Sequence, residues 1–172
     1  MDLEDVSVHF TDPTGSLPTK GRRLKGALED MISYARENIT LVSYSMSTFS
    51  DKWFLWEEIE EKLSHAGIQL RVFGDNENQV KKIVNRFSNS GAKGWFWVPQ
   101  KGQNSLFHIK ALIVDESIYL GSANFSKLAT TSSAEWGIIS KSPDLRRELN
   151  LYLKHLVKEG RMKEVSLLIK LL

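Results

Sequence analysis

The chain has no cysteine. Structural disulfides, thiolate metal sites and a cysteine nucleophile are therefore excluded. The opening MDLEDVSVHF is acidic and lacks the basic segment and apolar run of a signal peptide. No apolar run approaches the roughly 20 residues of a membrane span. A cytoplasmic protein without membrane insertion is the expectation. Linkers, low-complexity segments and internal repeats are also missing, so residues 1–172 are read as a single domain. The hydrophobic fraction of 41% suits an ordinary folded core. Net charge is only +2, but its distribution is uneven. Arg71 to Lys127 holds eight Lys or Arg against four acids, while the remainder is slightly acidic. The positive excess collects around one part of the chain, as expected near a phosphate-bearing substrate, and a chance excess on a solvated face would explain it equally well.

Periodicity supplies the elements. Val6–Phe10 reads as a short strand and Asp12–Lys20 as a turn-rich loop. Leu24, Leu28, Met31, Ile32 and Ala35 recur at helical spacing, predicting a helix over 22–37. Ile39–Ser45 is a buried strand, and Trp53–Leu63 a helix capped by Ser50 or Asp51. Ile68–Phe73 is a strand, and Val80, Ile83, Val84 and Phe87 mark another helix, closed near Gly91. Trp95–Val98 is a strand with alternately buried aromatics, base stacking by Trp95, Phe96 and Trp97 being the alternative, and Pro99–Ser105 is a polar loop. Leu106–Val114 and Ile118–Leu120 predict a hairpin turning at 115–117, followed by a strand over Glu135–Ser140. Ser142 and Pro143 start a helix as cap and first residue, and Gly160 separates it from a final amphipathic helix through Leu172. Strands alternating with helices, plus a late hairpin, predict an α/β fold with a mixed β-sheet flanked by helices on both faces.

The segment Leu106–Asn124, LFHIKALIVDESIYLGSAN, carries the chemistry. His108 and Lys110 are two apart on a predicted strand, so both point to one face. A half-exposed edge strand whose polar face meets water would also explain that pair. Gly121, Ser122 and Asn124 follow the return strand, which brings them back toward the level of His108 and Lys110. Gly121 permits close backbone approach. Glu135 lies eleven residues beyond Asn124. A neutral imidazole can attack phosphorus, a lysine and a carboxamide can hold phosphoryl oxygens, and a carboxylate can orient the ring. This set suits cutting a phosphodiester without a metal or cofactor.

The pattern H-x-K-x4-D followed by G-S-x-N resembles that of the phospholipase D superfamily, and its single-motif nucleases look the nearest in kind. The helix leading into ITLVSYS and the strand in AGIQLRVFGDN resemble the superfamily's usual approach to the motif. The spacing from Asp115 to Gly121 is one residue shorter than the more familiar one, which shortens only the hairpin turn. The resemblance implies a phosphohistidine formed on His108, with Lys110 and Asn124 binding the non-bridging oxygens. Glu135 would accept a hydrogen bond from the ring, and Ser122 would support the site. Asp115, at the far end of its strand, is read as a turn residue.

The superfamily takes its general acid from a second motif histidine. His9, His65 and His155 are not followed by x-Lys and are read as surface or capping residues. The second histidine is therefore expected from a second copy of the chain, in a homodimer with a shared active site. Gly121 and Lys101, the latter in the amide-rich loop before the motif, are further candidates for substrate contact. The expected function is a metal-independent nuclease acting on DNA or RNA. One alternative is a phospholipase D or cardiolipin-type lipid hydrolase. Another is a nuclease-like subunit or binding module of a larger restriction, defence or repair complex.

Overall fold

The computed structural model describes residues 6–14, 22–47, 54–65 and 67–166. Nine strands form one mixed sheet: β1 (Val6–Thr11), β2 (Arg22–Arg23), β3 (Asn38–Ser43), β4 (Gln69–Gly74), β5 (Lys93–Trp97), β6 (Lys110–Val114), β7 (Ser117–Gly121), β8 (Glu135–Ser140) and β9 (Met162–Glu164). Their spatial order is β2-β1-β8-β7-β6-β3-β4-β5-β9. The run β3, β4, β5 is parallel, whereas β6 lies antiparallel to both β3 and β7.

Four helices, α1 (Leu24–Ser33), α2 (Phe54–Leu63), α3 (Glu77–Arg86) and α4 (Lys127–Thr131), supply one apolar layer, and α5 (Pro143–Lys158) the other. Leu28, Ile32, Leu55, Ile59, Val80 and Val84 meet Leu41, Leu70, Leu112 and Tyr119 on the first face. Leu153 and Leu156 meet Val42, Phe73 and Ala111 on the second. Alternate residues of β3, β4 and β6 thus enter opposite cores, as period-two geometry requires. The α/β class with helices on both faces is as expected. Strand β6 is the fifth of nine, and all five of its residues are buried. The motif strand is therefore central, and the edge-strand explanation of its polar pair fails.

Local signals hold at several boundaries. Ser142 caps α5 by accepting from the Leu145 amide, with Pro143 in the first turn. Asn76 caps α3 by accepting from Gln79. Three expectations are corrected. The first helix spans Leu24–Ser33 rather than 22–37, with Arg22–Arg23 in a short strand. Its predicted last turn is unwound where the Asp115 carboxylate accepts the amides of Arg36, Glu37 and Asn38 at 2.8, 3.1 and 2.9 Å. The chain after Gly160, which has φ +66°, forms β9 on the edge of β5 rather than starting a helix. Met162 is buried there, and the ladder satisfies an otherwise open sheet edge. His9 is 3% exposed, inside the sheet with its Nε2 2.7 Å from Ser7 Oγ, and not a surface residue. His65 does cap, its Nδ1 3.0 Å from the Glu61 carbonyl of α2. The expected caps Ser50 and Asp51, and the chain beyond Ser166, lie outside the described residues.

The aromatic run of β5 packs inward. Trp95 stacks on Phe73 at 4.7 Å between centroids, and Trp97 lies 6.0 Å from Phe107. Trp97 also donates its indole N–H to the Ser105 carbonyl at 2.9 Å, which fastens the polar loop 99–105 to the sheet.

Candidate active site

The hairpin and the neighbouring strand converge at one end of the sheet centre. Pairing of β3 with β6 sets Ser43 opposite Lys110, and pairing of β7 with β8 sets Gly121 opposite Gly137. These two registers bring the C-terminal end of β3, the start of β6 and the Gly121–Asn124 segment together.

His108 lies two residues before β6 and is exposed. Lys110 opens the ladder and is 7% exposed. Its ammonium nitrogen sits 2.9 Å from Nδ1 and 3.0 Å from Nε2 of His108, and donates to the His108 carbonyl at 3.1 Å. The ammonium thus lies against the edge of the ring that carries both nitrogens, where it can donate to whichever of them holds a lone pair. Burial pushes the Lys110 pKa below its usual 10.5, and the charge of Glu135 opposes that shift.

Asn124 is oriented by its oxygen. Oδ1 accepts from the Ser45 amide at 3.2 Å and from Ser43 Oγ at 3.4 Å. The amide nitrogen is thereby turned away from these anchors and left to donate elsewhere. Ser122 Oγ donates to Glu135 Oε2 at 2.5 Å and accepts from the Trp136 amide at 3.1 Å. Ser122 thus holds the carboxylate. Within one chain Glu135 bonds Ser122, not His108, so the expected carboxylate–imidazole bond is not formed.

Gly121 has a packing reason for being glycine. A Cβ there would come 2.3 Å from the Tyr119 hydroxyl and 2.6 Å from the Trp136 carbonyl, and one on Gly137 would come 2.2 Å from the Tyr119 ring. The Tyr119 ring therefore lies on a floor of two paired glycines. Burial holds its phenol well above its ordinary pKa, so it stays protonated beneath the site.

Asp115 stands at the other end of β6, at φ +47°, tied to three amides of the α1–β3 loop. Arg146 of α5 donates to its carbonyl at 3.2 Å. The contacts of Asp115 thus tie the end of β6 to the α1–β3 loop and to α5. Lys101 is exposed in the loop 99–105 and makes no contact that ties it to His108.

Two residues near His108 carry no sequence signal. Tyr44, just past β3, has its ring centroid 4.8 Å from that of His108 at 51°. Asp75, just past β4, accepts the Phe107 amide at 2.6 Å, and so fixes the chain immediately before His108. Both contacts cross between strands distant in sequence, which no spacing rule reveals. Among the described residues, no three His, Asp or Glu side chains converge as metal ligands.

Residues 28–157 match a family model described as cardiolipin synthase, PLD-like domain. No curated protein matches the chain. Among solved structures, a phospholipase D family member, Nuc from Salmonella typhimurium, aligns with a TM-score of 0.66 and 20% identity, over 94% of this chain and 98% of that one. NucT from Helicobacter pylori aligns with a TM-score of 0.67 and 20% identity, over 90% of this chain and 97% of that one. A phosphatidylserine synthase from Haemophilus influenzae gives 0.68 and 15% identity, over 93% of this chain and 40% of that one. At these identities the structural likeness is one of fold.

Proposed function

This chain belongs to the phospholipase D superfamily through its PLD-like domain, and on that premise we propose that it is a metal-independent nuclease acting as a homodimer. The observation that carries the reading is the Lys110 ammonium held 2.9–3.0 Å from both ring nitrogens of an exposed His108. Nucleophile and oxyanion-binding cation stand in contact at the mouth of the site, beside a carboxamide with a free N–H₂.

In the first step a ring nitrogen of His108 forms a bond to phosphorus. The bond from phosphorus to the leaving sugar oxygen breaks, and that oxygen takes a proton from the partner's His108. Lys110 and Asn124 donate to the non-bridging oxygens as charge builds on them. Removal of one such donor costs ~10²–10³ in turnover. In the second step water attacks the phosphohistidine and gives its proton to the partner's His108. The free enzyme and a phosphomonoester end result.

Two observations support the second copy. Each chain offers one histidine to the site, and that histidine is open to solvent rather than enclosed. Beside it, the sheet face on the α5 side remains apolar and uncovered. Val8 and Trp136 on β1 and β8 are 45% and 54% exposed, and Leu106, two residues before His108, is 60% exposed. Trp136 follows Glu135 on β8 and so points to the opposite face of the sheet at the same end.

Nucleic acid is favoured over lipid by the basic excess between Arg71 and Lys127, with Lys93, Lys101 and Lys127 exposed. No helix among the described residues is long and apolar enough to cross a membrane. A phospholipid substrate is the second reading, supported by the description of the matching family model and by the synthase among the structural neighbours.

The test is cleavage of labelled single-stranded DNA, duplex DNA and RNA in excess EDTA, beside His108→Ala and beside anionic liposomes. Metal-independent cleavage of nucleic acid by the wild type alone supports the reading and ranks the substrates. Hydrolysis confined to liposomes replaces it with the second reading.

A further inference from the structure

The orientation of the nucleophile is the part of the site that the motif residues leave unexplained. His108 precedes the β6 ladder, so its backbone lacks ladder support, although Asp75 fixes the amide before it. Glu135 is committed to Ser122. Lys110 does contact the ring, but its task requires it to turn toward phosphoryl oxygens once substrate arrives. What then remains against the imidazole is Tyr44, 4.8 Å away between centroids.

Tyr44 is itself well anchored. It lies between Ser43 and Ser45, and both of these donate to Asn124 Oδ1. Ser43 Oγ has one proton, shared between the Ser45 carbonyl at 2.7 Å, the shorter branch, which closes the backbone around Tyr44, and Asn124 Oδ1 at 3.4 Å; it accepts from the Phe125 amide at 3.2 Å. The same serines that turn the Asn124 carboxamide therefore fix the backbone that carries the aromatic ring. Tyr44 also lies 5.7 Å from the Lys110 ammonium, within range of attraction between a cation and a ring face.

We propose that Tyr44 is a positioning residue whose ring holds the His108 imidazole in the attacking orientation after Lys110 has moved to the phosphate. The role belongs to the ring, and it rests on His108 being the nucleophile as set out above. It assigns to an aromatic contact within the chain an orienting task that the carboxylate does not perform there.

The experiment compares wild type, Tyr44→Ala and Tyr44→Phe by two readouts. The first needs no substrate. In histidine-labelled protein the His108 ring protons, identified by their loss in His108→Ala, are followed by NMR. Tyr44→Ala is expected to remove their ring-current shift and average their environment, and Tyr44→Phe to restore both. The second readout is steady-state cleavage. Tyr44→Ala is expected to lower kcat by about 10- to 100-fold, the scale for a misplaced reacting group, with KM within about twofold. Tyr44→Phe should recover most of that loss. Unchanged His108 resonances in Tyr44→Ala would overturn the proposal, as would a loss confined to KM. If the wild type cleaves no substrate, the nuclease reading fails separately, and the resonances still decide whether Tyr44 orients the ring.

Discussion

Lys110 is placed where two requirements conflict. In the proposed reaction its charge is needed for phosphoryl oxygens, yet burial lowers its pKa below 10.5. The conflict has a sign. The unfolded chain titrates this lysine near 10.5 and the folded chain below that, so between the two values the unfolded state binds more protons. Stability should therefore rise with pH across that window, and below it the buried charge is a cost. Two outcomes are expected. The alkaline limb of the kcat/KM profile, which reports the free enzyme, should lie below pH 10.5 and move upward in Lys110→Arg, which a pH series on both proteins measures. Lys110→Met should lose ~10²–10³ in turnover while its denaturation midpoint at pH 7 is no lower than that of the wild type. The motif residues were legible in the sequence because their spacing is local to one hairpin. Tyr44 was not, because its contact with His108 depends on a β3–β6 register that sets Ser43 opposite Lys110.

At the scale of elements, the two ends of β6 serve different purposes. Asp115 fastens the α1–β3 loop through three amides. Asp115→Ala should cost about 2–4 kcal/mol for the lost charge-assisted bonds, read from urea denaturation, while activity per folded molecule persists. The Tyr119 ring over Gly121 and Gly137 leaves no room for a methyl group. Gly137→Ala should cost ~1–3 kcal/mol by overpacking, seen as a lowered denaturation midpoint. The hairpin, the strand Glu135–Ser140 and the start of α5 were legible because caps, turns and alternation are local. β9 was not. Met162-Lys163-Glu164 is too short to show a period, and its state is set by the unpaired edge of β5 rather than by its own residues. The end of α1 was misjudged for a similar reason, since the residue that unwinds it is Asp115, far along the chain.

For the whole molecule, the alternation of strands and helices was enough to give the class but not the sheet order. β1 pairs with β8 across most of the chain length, and no local pattern encodes that. The same sheet leaves Val8 and Trp136 uncovered. Trp136→Asp should yield monomers by light scattering and lose cleavage, whereas His108→Ala should remain dimeric and inactive. A wild-type chain that is fully active as a strict monomer would overturn the shared site. The position of His108 has a separate consequence for descent. The hydrogen-bonded ladder begins at Lys110, so the proposed nucleophile stands outside the framework that keeps the molecule folded. A lineage could discard the imidazole, keep the cation and the carboxamide, and become a reader of phosphate backbones rather than a cutter of them. On the proposed reading, chemistry on this scaffold is a detachable trait, and a silent copy would be expected to fold as well as an active one.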